Sequence, residues 1–346
     1  VRDPLARRFR RFAEAEARGP SPLYEQLALA IADDEDLLAL AANAPAGQPV
    51  PNLLFGAVHL LLRTTPSRLA RFYPSLTAHP ASPADACPAF REFCLSHAGA
   101  IREVLAVRRV QTNEVGRCAY LLPAFTVVAS LARGRPMALV EIGTSAGLNL
   151  LFDRYGYRHG DIRGGLPGSP VQIACALRGD GRPPLARPVP LVVERIGVDL
   201  HVVDVGDPDA VRWLEALVWP EQRDRANALR HAIEIARADR PRLVSGDGVE
   251  LLAGLLRAIP LDIPVCVFHT HTVNQFSPAA RDELSARLAE AGRARELYRV
   301  SAEWLGTVHP QLELTAWRDG HTAHRVLARC DPHGRWLEWL DDVPPA

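Results

Sequence analysis

Lysine is absent from this chain: all 40 basic residues are arginine, which removes a side-chain amine from the catalytic repertoire. An excess of either charge is missing too. Acidic residues also number 40, so no overall field gathers polyphosphate or anionic lipid, and neither nucleic acid nor a membrane is an expected partner. Cysteine is sparse, at positions 87, 94, 118, 175, 266 and 330. With no CxxC pair and no dense framework, these read as free thiols in a reducing compartment. No run of about 18 apolar residues occurs, and the opening Val1-Arg2-Asp3-Pro4-Leu5 is followed by charge. A spanning helix or a leader is therefore not expected, and the cytoplasm follows by default.

What is present is an ordinary globular composition, 48% apolar and 23% charged over 346 residues, enough for two units or one domain with a large extension. Residues 1–133 read as a helical N-terminal unit. A stripe begins at Leu5, Arg8, Phe9 and Phe12, and helical spacing continues through Tyr24 to Ala42, Leu53 to Arg63 and Ala89 to Val107. Thr112 is a candidate cap for a last helix reaching Arg133, with Pro123 expected to kink or divide it.

The pattern changes at Pro136, within a second unit that spans 134–346. Met137 to Ile142 is a short apolar run that ends in a glycine turn, followed by a helical stretch from Leu148 to Tyr155, the opening of a βαβ unit. A Gly- and Pro-rich insertion occupies 156–190, with a hairpin expected around Val171 to Leu177. Further apolar runs lie within Pro190 to Val205, at Arg242 to Val244 and at Ile263 to Phe268, separated by helical patterns at Asp209 to Val218, Glu221 to Ala238 and Val249 to Ala258. Glu296 to Ser301 supplies a fifth strand, and Gln311 to Trp317, His321 to Cys330 and Arg335 to Leu340 read as an antiparallel meander. The expected fold of 134–346 is thus α/β, a doubly wound and mostly parallel sheet finished by antiparallel strands.

The sharpest local feature is Glu141-Ile142-Gly143-Thr144-Ser145-Ala146-Gly147, a glycine-flanked turn between strand and helix, where exposed backbone N–H groups and close ligand approach are expected. The dinucleotide pattern GxGxxG is not met. The segment resembles instead the first motif of class I S-adenosylmethionine-dependent methyltransferases, acid-x-Gly-x-Gly-x-Gly, with Ser145 in place of the middle glycine. That resemblance implies a Rossmann-like fold and S-adenosylmethionine as cofactor, with Glu141, Gly143, Thr144, Ser145 and Gly147 around it. It also implies an acid on the ribose hydroxyls, for which Asp199 stands at the end of Arg195 to Asp199, with Asp204 as substitute. The spacing is far longer than the roughly 20 residues of the dinucleotide fingerprint, so the insertion must intervene. Gly246-Asp247 resembles the step that sets an acid beside the adenine amino group.

His269-Thr270-His271-Thr272-Val273-Asn274 follows the fourth main strand, a position that resembles the family's catalytic or substrate-facing fourth motif. On an extended segment His269 and His271 share a face, and either is a candidate general base. A zinc pair lacks a third ligand, so no metal is expected. Asn113 and Arg117 are expected one turn apart on a helix face, and with Gln111, Glu114 and Asn274 they form the expected contacts to a small-molecule acceptor. Across nearly the whole chain, Gln111 to Arg117, Glu141 to Tyr157, Arg195 to Asp204 and Val218 to Gln222 resemble a bacterial family of unknown function with a methyltransferase-like domain.

Two alternatives stand beside methyl transfer. Gly143-Thr144-Ser145-Ala146-Gly147 also matches the GxSxG nucleophile elbow of serine hydrolases, with Asp247 and then His269, His271 or His309 in permissible chain order. Against it, the elbow of such enzymes follows several strands, whereas this one follows the first. The third reading is a non-catalytic protein that binds a nucleotide-like ligand.

Overall fold

A computed structural model of the chain describes residues 2–111, 113–185 and 189–341. Thr112, the expected cap, lies outside the described residues. The helices are α1 (Arg2–Phe12), α2 (Pro22–Ala32), α3 (Glu35–Ala41), α4 (Val50–Leu62), α5 (Ala86–Ser96), α6 (Ala98–Val107), α7 (Cys118–Leu131), α8 (Pro208–Leu217), α9 (Arg223–Ala238), α10 (Gly248–Ala258) and α11 (Pro278–Ala294). The chain divides into a helical unit, 1–112 with 206–227, and a sheet unit, 113–205 with 228–346. The division therefore differs from a single break at 133: α7 belongs with the sheet, and α8 belongs with the helices. Among the described residues, no helix is long and apolar enough to cross a membrane, and all six cysteines are free.

In the helical unit, small polar residues start the helices as their capping chemistry dictates. Ser21 accepts the Tyr24 N–H ahead of Pro22, Asp34 accepts from Asp36 and Leu37, and Asp207 accepts from Asp209 ahead of Pro208. Asp34 thereby splits the helical stretch expected from Tyr24 to Ala42 into α2 and α3. Glu221 reaches back across the sequence, accepting from the Ser21 hydroxyl at 2.6 Å and the Leu23 N–H at 3.0 Å. The core is aromatic: Tyr24 stacks on Phe55 at 4.2 Å between centroids, with Phe12 and Trp219 beside them.

The sheet unit carries β1 (Met137–Ile142), β2 (Gly156–His159), β3 (Ile162–Gly165), β4 (Gln172–Arg178), β5 (Val192–Asp199), β6 (Arg242–Ser245), β7 (Val265–Thr270), β8 (Leu297–Glu303), β9 (Gln311–Arg318), β10 (His321–Cys330) and β11 (Trp336–Trp339). They form one 11-stranded, mostly parallel sheet in the order β3-β2-β4-β11-β10-β9-β8-β7-β1-β5-β6. Strand β1 is buried along its whole length and pairs in parallel with β5 on one side and β7 on the other, so chain progression reverses direction there. Helices cover both faces, as burial on both faces of parallel strands demands. Val249, Leu252 and Leu256 of α10 and Leu284 and Leu288 of α11 pack with Ala138, Val140 and Ile142 of β1. Phe125 of α7 meets Phe152 and Phe268 at 4.7 and 5.1 Å.

Three expectations change. The stretch after the glycine turn is a 3-10 helix, Leu148–Arg154, with Leu151 off helical geometry. The insertion is not a hairpin at Val171 to Leu177: β2 and β3 form the hairpin, and β4 runs parallel to both β2 and β11, extending the sheet at the edge far from β1. Helical structure at the start of the α7 segment is confined to a 3-10 turn, Val115–Arg117, with Glu114 as its cap. Pro123 sits inside α7, which runs through it to Leu131.

Candidate functional site

The site is built where the parallel strands end. Strand β1 delivers Glu141 and the Gly143 to Gly147 turn, β5 ends at Asp199, β6 runs into Gly246 and Asp247, and β7 runs into His271. These are the carboxyl ends on both sides of the reversal at β1, where open α/β sheets form their ligand crevices. Strand-end logic thus brings together residues spread over more than a hundred positions.

The turn itself differs from the expected donor cradle. The N–H groups of Gly143 and Thr144 bond the Val198 carbonyl, Gly147 bonds Thr144, Ser145 donates to Asp199 Oδ2 at 2.9 Å, and Ala146 donates to Asn113 Oδ1 at 3.0 Å. Every N–H from 143 to 147 outside the strand ladder therefore has a partner within the protein. Gly143 is required for two reasons, a left-handed φ of +78° and a Cβ position only 2.2 Å from Thr272 Oγ1. Gly143→Ala is expected to lower stability by about 2–4 kcal/mol, about 1 from the backbone and the rest from overpacking, measurable as a shift in the urea midpoint.

Glu141 and Thr144 are struts more than ligand contacts. Glu141 is buried, and its two oxygens accept from Thr144 Oγ1 at 2.6 Å and Asn149 Nδ2 at 3.3 Å. Burial pushes its carboxyl up to about 8, against those hydrogen bonds and the charge of Arg117. Asp199 is partly exposed, and its carboxylate is oriented by the N–H groups of Ser145 and His201. Because Asp199 closes β5, it stands at the strand end, ahead of Asp204. Asp247 uses Oδ1 to cap α10 through Val249 and Glu250, and its side chain stays exposed.

The two histidines diverge. His269 lies in β7, fully buried, with Nδ1 donating to Glu303 at 2.7 Å and Nε2 accepting from Arg299 at 3.0 Å. Both ring nitrogens are occupied, so His269 has no lone pair for an acceptor, and it positions Glu303 instead. His271 follows the strand with φ +53°, which breaks the expected alternation and turns it away from the extended path. Its Nε2 is buried and unpartnered among the described residues. Burial first, and then Arg117, lowers its pKa to about 4, so the ring is neutral. Among the described residues no group of three or more His, Cys, Asp and Glu could hold a metal ion.

Asn113 and Arg117 do not share a helix face. Asn113 spans the turn, donating to Ser145 Oγ at 2.8 Å while accepting from Ala146. Arg117 donates to the Thr270 carbonyl and hydroxyl, each at 3.1 Å, and to the Pro332 carbonyl. Glu114 is buried and accepts the Gly116 N–H, Asn274 lies on the loop after β7, and Gln111 falls in the helical unit. For the hydrolase alternative, Ser145 does carry a left-handed φ of +50°, yet its hydroxyl faces an amide, and Asp247 caps a helix instead of orienting a histidine.

Sequence reasoning missed Glu303 and Asn149. Glu303 accepts from His269 and from the N–H groups of Thr272, Val273 and Asn274, so it holds the whole loop after β7. Burial raises its pKa, but those hydrogen bonds outweigh it and keep the carboxyl below its ordinary value. The signal was its place at the end of the fifth strand, which runs two residues beyond the expected Ser301.

No curated protein and no solved structure matches the chain. Residues 6–339 match the family described as an uncharacterized protein conserved in bacteria (DUF2332), and the chain belongs to that family.

Proposed function

We propose that the sheet unit is a methyltransferase that uses S-adenosylmethionine and acts on a small-molecule acceptor. The observation that carries this reading is the pair of carboxylates, Asp199 at the end of β5 and Asp247 just past β6, the two parallel strands that extend the sheet from β1 on one side. The parallel strands β6-β5-β1-β7-β8 follow the 3-2-1-4-5 order of mononucleotide-binding sheets, and the next strand in chain order joins them antiparallel.

The residues present fit the cofactor. A carboxylate has about four lone-pair sites, and Ser145 and His201 occupy two of those on Asp199, leaving acceptor capacity for vicinal hydroxyls. Asp247 is exposed and uses only Oδ1 among the described residues, which leaves Oδ2 for an amino group. When bound, the cofactor supplies an electrophilic methyl group on a sulfonium. The chain's own part is orientation and proton management: Asp199 and Asp247 hold the nucleoside, and neutral His271 offers Nε2 to the acceptor's proton. His269 has no part in that step.

Titration calorimetry with S-adenosylmethionine and with its demethylated product tests the reading. Both are expected to bind, and Asp199→Ala is expected to weaken them about tenfold or more through loss of a charged acceptor. The variant's melting temperature is measured alongside, because Ser145 and His201 lose a partner. No heat at millimolar ligand overturns the reading, and binding without methyl transfer to any acceptor favours the ligand-binding alternative.

A further inference from the structure

Arg117 is held more firmly than its half-buried position requires. Its Nη1 and Nε are committed to Thr270 and Pro332, and the backbone beside it is clamped. A Cβ on Gly116 would lie 2.3 Å from the His333 carbonyl oxygen, and one on Gly334 would lie 1.9 Å from the Gly116 carbonyl oxygen, so two backbones meet where only glycines fit. The guanidinium is therefore fixed before any ligand arrives.

What it is fixed for is left open by the protein itself. Among the described residues Nη2 makes no hydrogen bond and stays accessible, and no carboxylate lies within ion-pair distance of Arg117. The acids around it have partners of their own: Glu114, in the same turn, accepts the Gly116 N–H at 3.0 Å, Glu303 holds His269 and three backbone N–H groups, Asp331 pairs with Arg335 at 2.9 Å, and Glu141 accepts from Thr144 and Asn149. Just past β7, whose last residue is the Thr270 that Arg117 grips, two buried polar atoms have no partner among the described residues, His271 Nε2 and Asn274 Oδ1. Each such atom has given up its water without gaining a protein partner, which costs stability. A buried orphan in a native structure calls for a ligand or water to explain it.

We propose that this corner binds a small carboxylic acid bearing a neighbouring hydroxyl or amine, its carboxylate on Arg117 Nη2 and its donor group on His271 Nε2 or Asn274 Oδ1. The identification of that acid as the methyl acceptor rests on the methyltransferase reading; its binding does not. A cation with one free edge selects an anion, and Asn274 Oδ1 requires a donor from the ligand. A plain carboxylate satisfies only the first of these, and a neutral alcohol or amine only the second.

The test uses the full chain without cofactor. Glycolate, L-lactate, L-serine and salicylate, each beside its primary amide, are titrated by ligand-observed NMR and thermal shift, with inorganic phosphate as a separate arm. At least one acid is expected to bind while its amide does not. Asn274→Asp, which sets a like charge beside the carboxylate, is expected to weaken that acid about tenfold or more, and Arg117→Met about a hundredfold. Arg117→Met also removes the grip on Thr270, so Asn274→Asp keeps the proposal testable if that variant fails to fold. Equal binding of acids and amides, phosphate binding more tightly than every acid, or no binding at millimolar concentration overturns it. Acid binding together with silence toward S-adenosylmethionine would keep the site and remove the methyltransferase reading.

Discussion

Replacing Glu303 with alanine is expected to destabilise the sheet unit by at least about 4 kcal/mol, since four donors lose their acceptor at about 1–3 kcal/mol each. Those donors are His269 Nδ1 and the backbone N–H groups of Thr272, Val273 and Asn274. Typical domains have only about 5–15 kcal/mol to lose, so Glu303→Ala should be close to unfolding. Glu303→Gln should lie between the two, because its amide oxygen can still accept at one end while its NH2 opposes an N–H at the other. Urea titrations followed by circular dichroism measure the series, with hydrogen exchange of residues 270–275 reporting the loop directly. A loss below about 1 kcal/mol for alanine would show that water replaces the carboxylate without cost, contrary to the burial of both partners.

The second large effect is a pH dependence centred on Glu141. Burial raises its folded-state pKa from 4.5 to about 8, so between those values the folded chain keeps a proton that the unfolded chain has released. Stability from this group is fully present below pH 4.5 and declines by about 1.4 kcal/mol per unit as pH rises, about 5 kcal/mol in total by pH 8. Glu141→Gln, neutral and nearly isosteric, should abolish that decline. The variant is then expected to equal the parent near pH 4.5 and exceed it by a few kcal/mol above pH 8. The buried histidines act in the opposite sense at lower pH, since His271, held at about 4, and His59, held at about 3, resist the charge that the unfolded chain accepts below 6.5. Their contribution is common to parent and variant, so the difference between the two curves isolates Glu141. Parallel curves across pH 4.5 to 8 would mean that Glu141 is ionised in the fold.

Much of the scaffold can be read locally because its signals are local. The run Met137 to Ile142 is apolar at every position but Glu141, which is what a strand buried on both faces needs, and Ser21-Pro22, Asp207-Pro208 and Ser277-Pro278 start helices through contacts with residues two or three places along. Asp199 could be found despite the long insertion because strand ends in an open α/β sheet converge regardless of loop length. Glu303 is not legible in the same way, because the expected strand ends at Ser301, two residues before it.

The site's protonation and occupancy were not legible in this way. A histidine in His-Thr-His looks like a base from either position, and only the neighbours decide: Arg299 and Glu303 consume both nitrogens of His269, while past the left-handed turn His271 Nε2 has no partner among the described residues. The glycine turn looks like a donor cradle until Asn113 and Asp199 are seen to hold its N–H groups.

By itself, the sequence determined a helical N-terminal portion, the strand, turn and acid pattern of a mostly parallel sheet, and a closing antiparallel meander, because each depends on periodicity and turn chemistry within a few residues. Only the tertiary structure decided that β4 of the insertion joins β11, that 206–227 returns to the helical unit, and that Glu141 is a buried strut whose carboxyl burial pushes up. Those outcomes depend on which distant backbone and side-chain groups share a low-dielectric interior, and spacing along the chain carries no record of that.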